Sequence, residues 1–201
     1  LAALPLLFQK LNFPTDSNYW QKDINGQWAI GAQFLYEYGN DADKIVNWAR
    51  LGPMILTLIL ILFVYIWSKE LMGKWWALIP TLLVAFSPAV LAHGHYVTTD
   101  IGATLGIFIA IYYLVKFLNN QSKRNLALSG IAFGIAQLMK FSAVLLIPLF
   151  IFLALVFAFI KIREEFSFAA KVIKFFKEAL KSVGSLILIF VIGAYLVIKA
   201  I

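Results

Sequence analysis

Between two long apolar runs, the stretch Ser87-Pro-Ala-Val-Leu-Ala-His-Gly-His-Tyr-Val-Thr-Thr-Asp100 gathers two His, a Tyr, two Thr and an Asp. Ionisable groups are costly at membrane depth, so a cluster of them between spans marks a candidate functional site. A histidine in this stretch is read as an ordinary interfacial residue or one that faces a substrate. His93, His95 and Asp100 could together offer imidazole and carboxylate donors to a divalent metal. Two His one residue apart do not share a helix face, so that set needs a loop to assemble it. Thr98, Thr99 and Asp100 also stand directly before an apolar run, where such side chains cap a helix by accepting its first N–H groups. Capping is compatible with a second role, because a helix N-terminus also favours anions.

Two other places invite chemistry. Lys140 interrupts the apolar run 126–160, where a cation could hold a phosphate headgroup or snorkel to the interface. Asp41-x-Asp43 has the look of a metal–diphosphate pair, but its position before Ile45 and the next span suits capping and helix-dipole compensation. The sequence holds no glycine-rich phosphate loop, no HExxH and no nucleophile elbow. With no Cys, disulfides and thiolate metal sites are excluded.

These residues must be positioned by membrane helices. The 201 residues are 62% hydrophobic and only 13% charged, against about one quarter charged in soluble domains. The fold class expected is an all-α membrane protein, a polytopic helix bundle with an external loop carrying short interfacial helices. A net charge of +7 does not indicate nucleic acid, because the basic residues lie between the apolar runs. Residues 1–9 read as the end of a preceding helix, and 10–50 as an aromatic-rich external loop with a short helix near 26–38. Residues 51–201 read as the bundle, with spans at about 51–67, 75–91, 101–118, 126–139, 141–160 and 182–198. The segment 165–181 has an amphipathic pattern suited to the cytoplasmic leaflet or to a plain connecting helix. Opening at Leu1 inside an apolar run and stopping at Ile201, the chain reads as a piece of a larger protein.

Orientation follows from the basic residues. Segments 69–74, 116–124 and 161–181 carry Lys69, Lys74, Lys116, Lys123, Arg124, Lys161, Arg163, Lys171, Lys174, Lys177 and Lys181, eleven of the seventeen Lys and Arg. That side is expected to be cytoplasmic, which puts His93–Asp100 and the aromatic loop outside. Small residues recur at helical spacing at Gly102, Ala103 and Gly106, and again at Ser129, Gly130, Ala132, Gly134 and Ala136. Such stripes let membrane helices approach closely.

Three segments resemble the integral-membrane glycosyltransferases of the GT-C superfamily, in the dolichyl-phosphate-mannose protein mannosyltransferase and aminoarabinose-lipid A transferase-like branch. They are Asn47-Trp-Ala-Arg-Leu51, the segment Phe86–Asp100, which resembles SP…LAHxxxVTTD, and Gly130–Ala143 with Pro148, which resembles GxxxG…TKxxA…P. The resemblance implies sugar transfer from a polyprenyl-phosphate donor to a protein, lipid or glycan acceptor at the outer membrane face. It implies that Asp100 is the second acidic position and that His95 stands where a basic residue is common, while Met139 replaces a frequent Thr before Lys140. The family's main catalytic acid is expected upstream of Leu1. On this reading Asp100, His95 and Tyr96 form the external site and Lys140 lies near the lipid phosphate. The protein would then sit in a bacterial cytoplasmic membrane, or in the ER membrane of a eukaryote, with an extracytoplasmic active face. Its partners would be the lipid-linked donor, membrane lipids and the acceptor, with a divalent metal as an optional cofactor. The competing class is a non-enzymatic polytopic protein, a transporter or scaffold subunit. A transporter tends to place its ionisable residues at mid-membrane, whereas here they gather at span ends.

Overall fold

The structure is a computed structural model that describes residues 3–162 and 168–200, with side chains outside 162–172 and 200. Among the described residues every regular element is helical. A 3₁₀ turn at Leu4–Phe8 and three short helices, α1 (Asn18–Gln21), α2 (Gln27–Tyr36) and α3 (Ala42–Ala49), form the first layer. Then come α4 (Leu51–Met72), α5 (Leu78–Ala85), α6 (Pro88–His95), α7 (Asp100–Asn119) and α8 (Lys123–Met139). A second 3₁₀ turn at Phe141–Leu145 leads into α9 (Leu146–Ile162), and α10 (Phe168–Ala200) closes the chain. Among the described residues four helical stretches are long and apolar enough to cross a membrane: Ala42–Met72, Asp100–Asn119, Phe141–Lys161 and Ile173–Lys199. The protein is thus an all-α polytopic membrane bundle.

Local chemistry sets the breaks. Gly73 ends α4 at φ +84°, a left-handed conformation that other residues adopt only under strain. The run 75–91 is divided at Ser87-Pro88. The ring of Pro88 pushes Ser87 to extended backbone (ψ 124°) and then opens α6 at its first position. The axes of α5 and α6 differ by 54°, as in a broken span or a re-entrant loop. Between Phe168 and Ala200 no proline intervenes, and the part of the amphipathic stretch described here continues without interruption into the last span. The first residues of that stretch, 165–167, lie outside the described residues. α8 covers the fourth apolar run. At 17 residues it is about 25 Å long, short of a hydrocarbon core of roughly 30 Å.

α8 is packed between α7 and α10. Lipid is as apolar as leucine, so helix association here depends on dispersion and close approach, which small residues permit. A Cβ on Gly106 of α7 would lie 2.9 Å from Ala136 Cα, and one on Gly134 of α8 would lie 2.9 Å from the Gly193 carbonyl oxygen of α10. Around these contacts Leu114, Phe133, Phe150, Leu186 and Ile189 form one fully buried core. A second cluster, Leu60, Val64, Ile101 and Leu105, joins α4 to α7.

Gly134→Val should therefore lower stability by about 1–3 kcal/mol through overpacking, seen as a fall in the melting temperature in detergent. Gly31→Ala, inside α2 where a Cβ meets nothing within 4 Å, should not lower stability and should raise it by up to about 1 kcal/mol. Equal melting of the two variants would contradict this account of the α8–α10 contact.

Candidate functional site

Asp100 is the first residue of α7. Of the two roles open to it, capping is not the one its carboxylate performs. The N-cap position belongs to Thr99, whose side chain makes no cap bond either. Asp100 Oδ1 instead accepts from Lys140 Nζ at 2.7 Å, and Oδ2 lies 3.2 Å from His93 Nδ1. An ionised carboxylate is acceptor-only, so its two oxygens suit an ammonium on one side and an imidazole N–H on the other. The Asp100 and Lys140 side chains are 40% and 41% exposed, so the pair stands at the surface of the bundle and meets solvent.

Three elements hold this arrangement. α6 brings His93 and is pressed onto α4 at Gly94, whose missing side chain leaves room for Thr57. The Thr57 hydroxyl is itself buried and donates to the Pro53 carbonyl at 2.8 Å. The turn at 96–99 leads into α7, with Tyr96 extended and the Thr98 N–H donating to the Tyr96 carbonyl at 2.9 Å. On the third side α8 ends at Met139 and Lys140 adopts extended backbone (φ −157°, ψ 131°) before the 3₁₀ turn. Gln137 ties the break by donating its amide to the Ala143 carbonyl at 2.8 Å. The lysine that interrupts the apolar run thus occupies a true helix break, and its side chain is committed to Asp100 from 40 residues away.

A cleft of about 430 Å³ adjoins the pair. Pro53 and Leu56 of α4, Val97 to Thr99 of the turn, Gly102 of α7, and Leu138 and Met139 of α8 line it. Asp100 follows one lining residue, Thr99, and Lys140 follows another, Met139. The wall is largely apolar with two hydroxyls, suited to an amphipathic ligand whose polar end meets the ion pair.

The other sequence candidates fall as follows. His95 and Tyr96 are exposed and stand edge to face, ring centroids 6.3 Å apart. His93, considered above only as a metal donor, is the histidine that reaches Asp100. The three-donor set His93, His95 and Asp100 does not assemble: among the described residues no three His, Asp or Glu side chains converge into a group that could hold a metal. The residues between 93 and 95 are helical, so the two imidazoles diverge. Asp41 is the cap of α3, accepting from the Lys44 N–H at 3.0 Å, which accounts for the Asp41-x-Asp43 pair without a ligand. In the same layer Tyr38 donates to Asp16 at 2.8 Å, and that bond holds the phenol above its ordinary pKa. Gln137 and Thr57 gave no sequence signal, because a lone amide or hydroxyl in an apolar helix is unremarkable until its partner is known.

At the other end of α7, Glu70 accepts from Tyr112 at 2.8 Å and from Lys116 at 3.0 Å, while Lys116 Nζ sits 4.6 Å from the Tyr112 ring centroid. Trp67 packs edge-on against Tyr112. This cluster clamps α4 to α7 where both helices end.

No curated protein and no solved structure matches the chain. Residues 43–192, well over half of its length, match the family described as dolichyl-phosphate-mannose-protein mannosyltransferase. His93, Asp100, Lys140 and every residue lining the cleft lie within that range. The chain belongs to the dolichyl-phosphate-mannose-protein mannosyltransferase family, membrane glycosyltransferases of the GT-C type.

Proposed function

We propose that the chain carries the donor-phosphate side of a glycosyl transfer site that opens to the non-cytoplasmic face. The donor is a sugar linked to a polyprenyl phosphate, and the acceptor is a hydroxyl of a protein, lipid or glycan. The observation that carries this reading is the 2.7 Å contact between Asp100 and Lys140 beside an amphipathic cleft. In the transfer an acceptor hydroxyl oxygen attacks the anomeric carbon and the bond from that carbon to the phosphate oxygen breaks. The hydroxyl proton passes to a general base, and the polyprenyl phosphate departs with the bonding pair. Charge develops on that leaving phosphate, where a fixed cation stabilises the transition state more than the ground state.

Lys140 is that cation. Asp100 sets its position, and His93 braces the second carboxylate oxygen. With both oxygens engaged, Asp100 is a poor proton acceptor. Its role as the second acidic residue is therefore one of positioning, and the base is a different carboxylate. His95 and Tyr96, exposed at the same end, form a rim that meets the sugar or acceptor. The excess of Lys and Arg on segments 69–74, 116–124 and 161–181 supports the outward orientation. The charged residues at span ends, rather than at mid-membrane, favour a surface reaction over transport.

Asp100→Asn in the full-length protein should cut transfer from a polyprenyl-phosphate sugar on the order of 100-fold, and Lys140→Gln should do so by a similar factor. Lys140→Arg should recover part of the loss. Turnover at the wild-type level in a correctly inserted Asp100→Asn protein would remove Asp100 from the site. Orientation is checked by single cysteines. Tyr96→Cys should react with an impermeant maleimide added outside intact cells, and Lys123→Cys only after permeabilisation. The reverse pattern would overturn the outward-facing reading. Position 94 is unsuitable for such labelling because a side chain there would collide with Thr57.

A further inference from the structure

The end of the bundle opposite Asp100 holds a small basic pocket of about 170 Å³ between the α7–α8 turn and α10. Lys123, which opens α8, and Lys181, on α10, face it from parts of the chain far apart in sequence. Among the described residues neither lysine has a carboxylate partner. The ion pairs at this end among the described residues are Lys116–Glu70 and Lys161–Glu178.

Two further observations point to a missing anion. The Gln121 amide also lines the pocket, and its Nε2 is fully covered with no acceptor. A covered donor without a partner is disfavoured unless something supplies one. The start of α8 is also charged against its dipole. Its first turn holds no acid but does hold Lys123 and Arg124. Cations there are unfavourable without a neighbouring negative charge. Of the orphan N–H groups at that terminus, the Ser122 hydroxyl takes only that of Asn125, at 3.2 Å.

Depth identifies the anion's source. The pocket lies just past the end of α7, a 20-residue span about 30 Å long, so it stands at headgroup level. Phe117 and Leu126, which pack into the bundle core, give it an apolar inner wall. Basic pockets between helices at this level suit phosphate headgroups. We propose that this pocket binds the phosphate of an anionic phospholipid, held by Lys123, Lys181 and the Gln121 amide. The binding is separate from the transfer reaction, since the pocket shares no residue with the Asp100–Lys140 site.

The test uses the full chain in neutral detergent, titrated with phosphatidylglycerol, phosphatidylcholine or inorganic phosphate. Bound lipid is counted by native mass spectrometry, and melting temperature is followed in parallel. Phosphatidylglycerol should bind about 30-fold more tightly than phosphatidylcholine, as expected for two lysines at a headgroup. Lys123→Gln with Lys181→Gln should abolish that preference, whereas Lys181→Arg should keep it. Lys69→Gln, outside the pocket, should also keep it. If the double variant does not insert, Lys181→Gln alone should lower the preference by about fivefold. Equal binding of the two lipids, an unchanged preference in the lysine variants, or the same loss in Lys69→Gln would overturn the proposal. Inorganic phosphate raising the melting temperature as much as phosphatidylglycerol does would make this a small-anion site and overturn the lipid assignment.

Discussion

A charge at the edge of a bilayer must find a counter-charge or water, and the polar architecture of this protein follows from that constraint. Asp100 and Lys140 meet it for each other at one end of α7, and Glu70 and Lys116 do so at the other. Each pair joins helices distant in sequence, so each also fixes how two elements lie. The first differs from the second in what surrounds it. The two pairs are equally exposed, but Glu70 and Lys116 lie against the Tyr112 ring, whereas Asp100 and Lys140 border a cleft. A pair that is engaged and yet reachable is what a site for an anionic leaving group needs.

The apolar part of the bundle serves to hold that pair. α7 carries Asp100 and α8 carries Lys140, and the two are locked where Gly106 meets Ala136. Behind them α9 and α10 supply Phe150, Leu186 and Ile189 to the apolar core. α6 approaches from α4 through Gly94 and Thr57, which brings His93 within reach of the carboxylate. Backbone proximity at small residues therefore sets the site's dimensions more than any long side chain does.

Much of this was legible before any coordinates. Composition alone gives the helical membrane class, and the family resemblance drawn from Phe86–Asp100 and Gly130–Ala143 agrees with the match over residues 43–192. Asp100 and Lys140 each stood out as an ionisable residue next to apolar runs. Their pairing did not, because a contact across 40 residues has no local signature. The choice between His93 and His95 also lay beyond the sequence, since residues two apart on a helix diverge and only the tertiary placement of α6 selects one. Ser87-Pro88 carried the information for the bend between α5 and α6, but hydropathy averages over such a break. The continuity of α10 was hidden for the opposite reason: a change from mixed to apolar composition need not coincide with a change in backbone.

The brevity of α8 bears on the membrane itself. Its row Ile131, Ile135 and Leu138 is lipid-accessible at 40–46%, yet the helix is several ångströms shorter than the oil layer it must match. Surrounding lipids adapt to a short hydrophobic surface by thinning. With Lys140 at one end of that surface, such thinning would, on the function proposed above, draw the adjoining leaflet down toward it. A phosphate carried by a long isoprenoid tail would then reach the ammonium without first leaving its own leaflet.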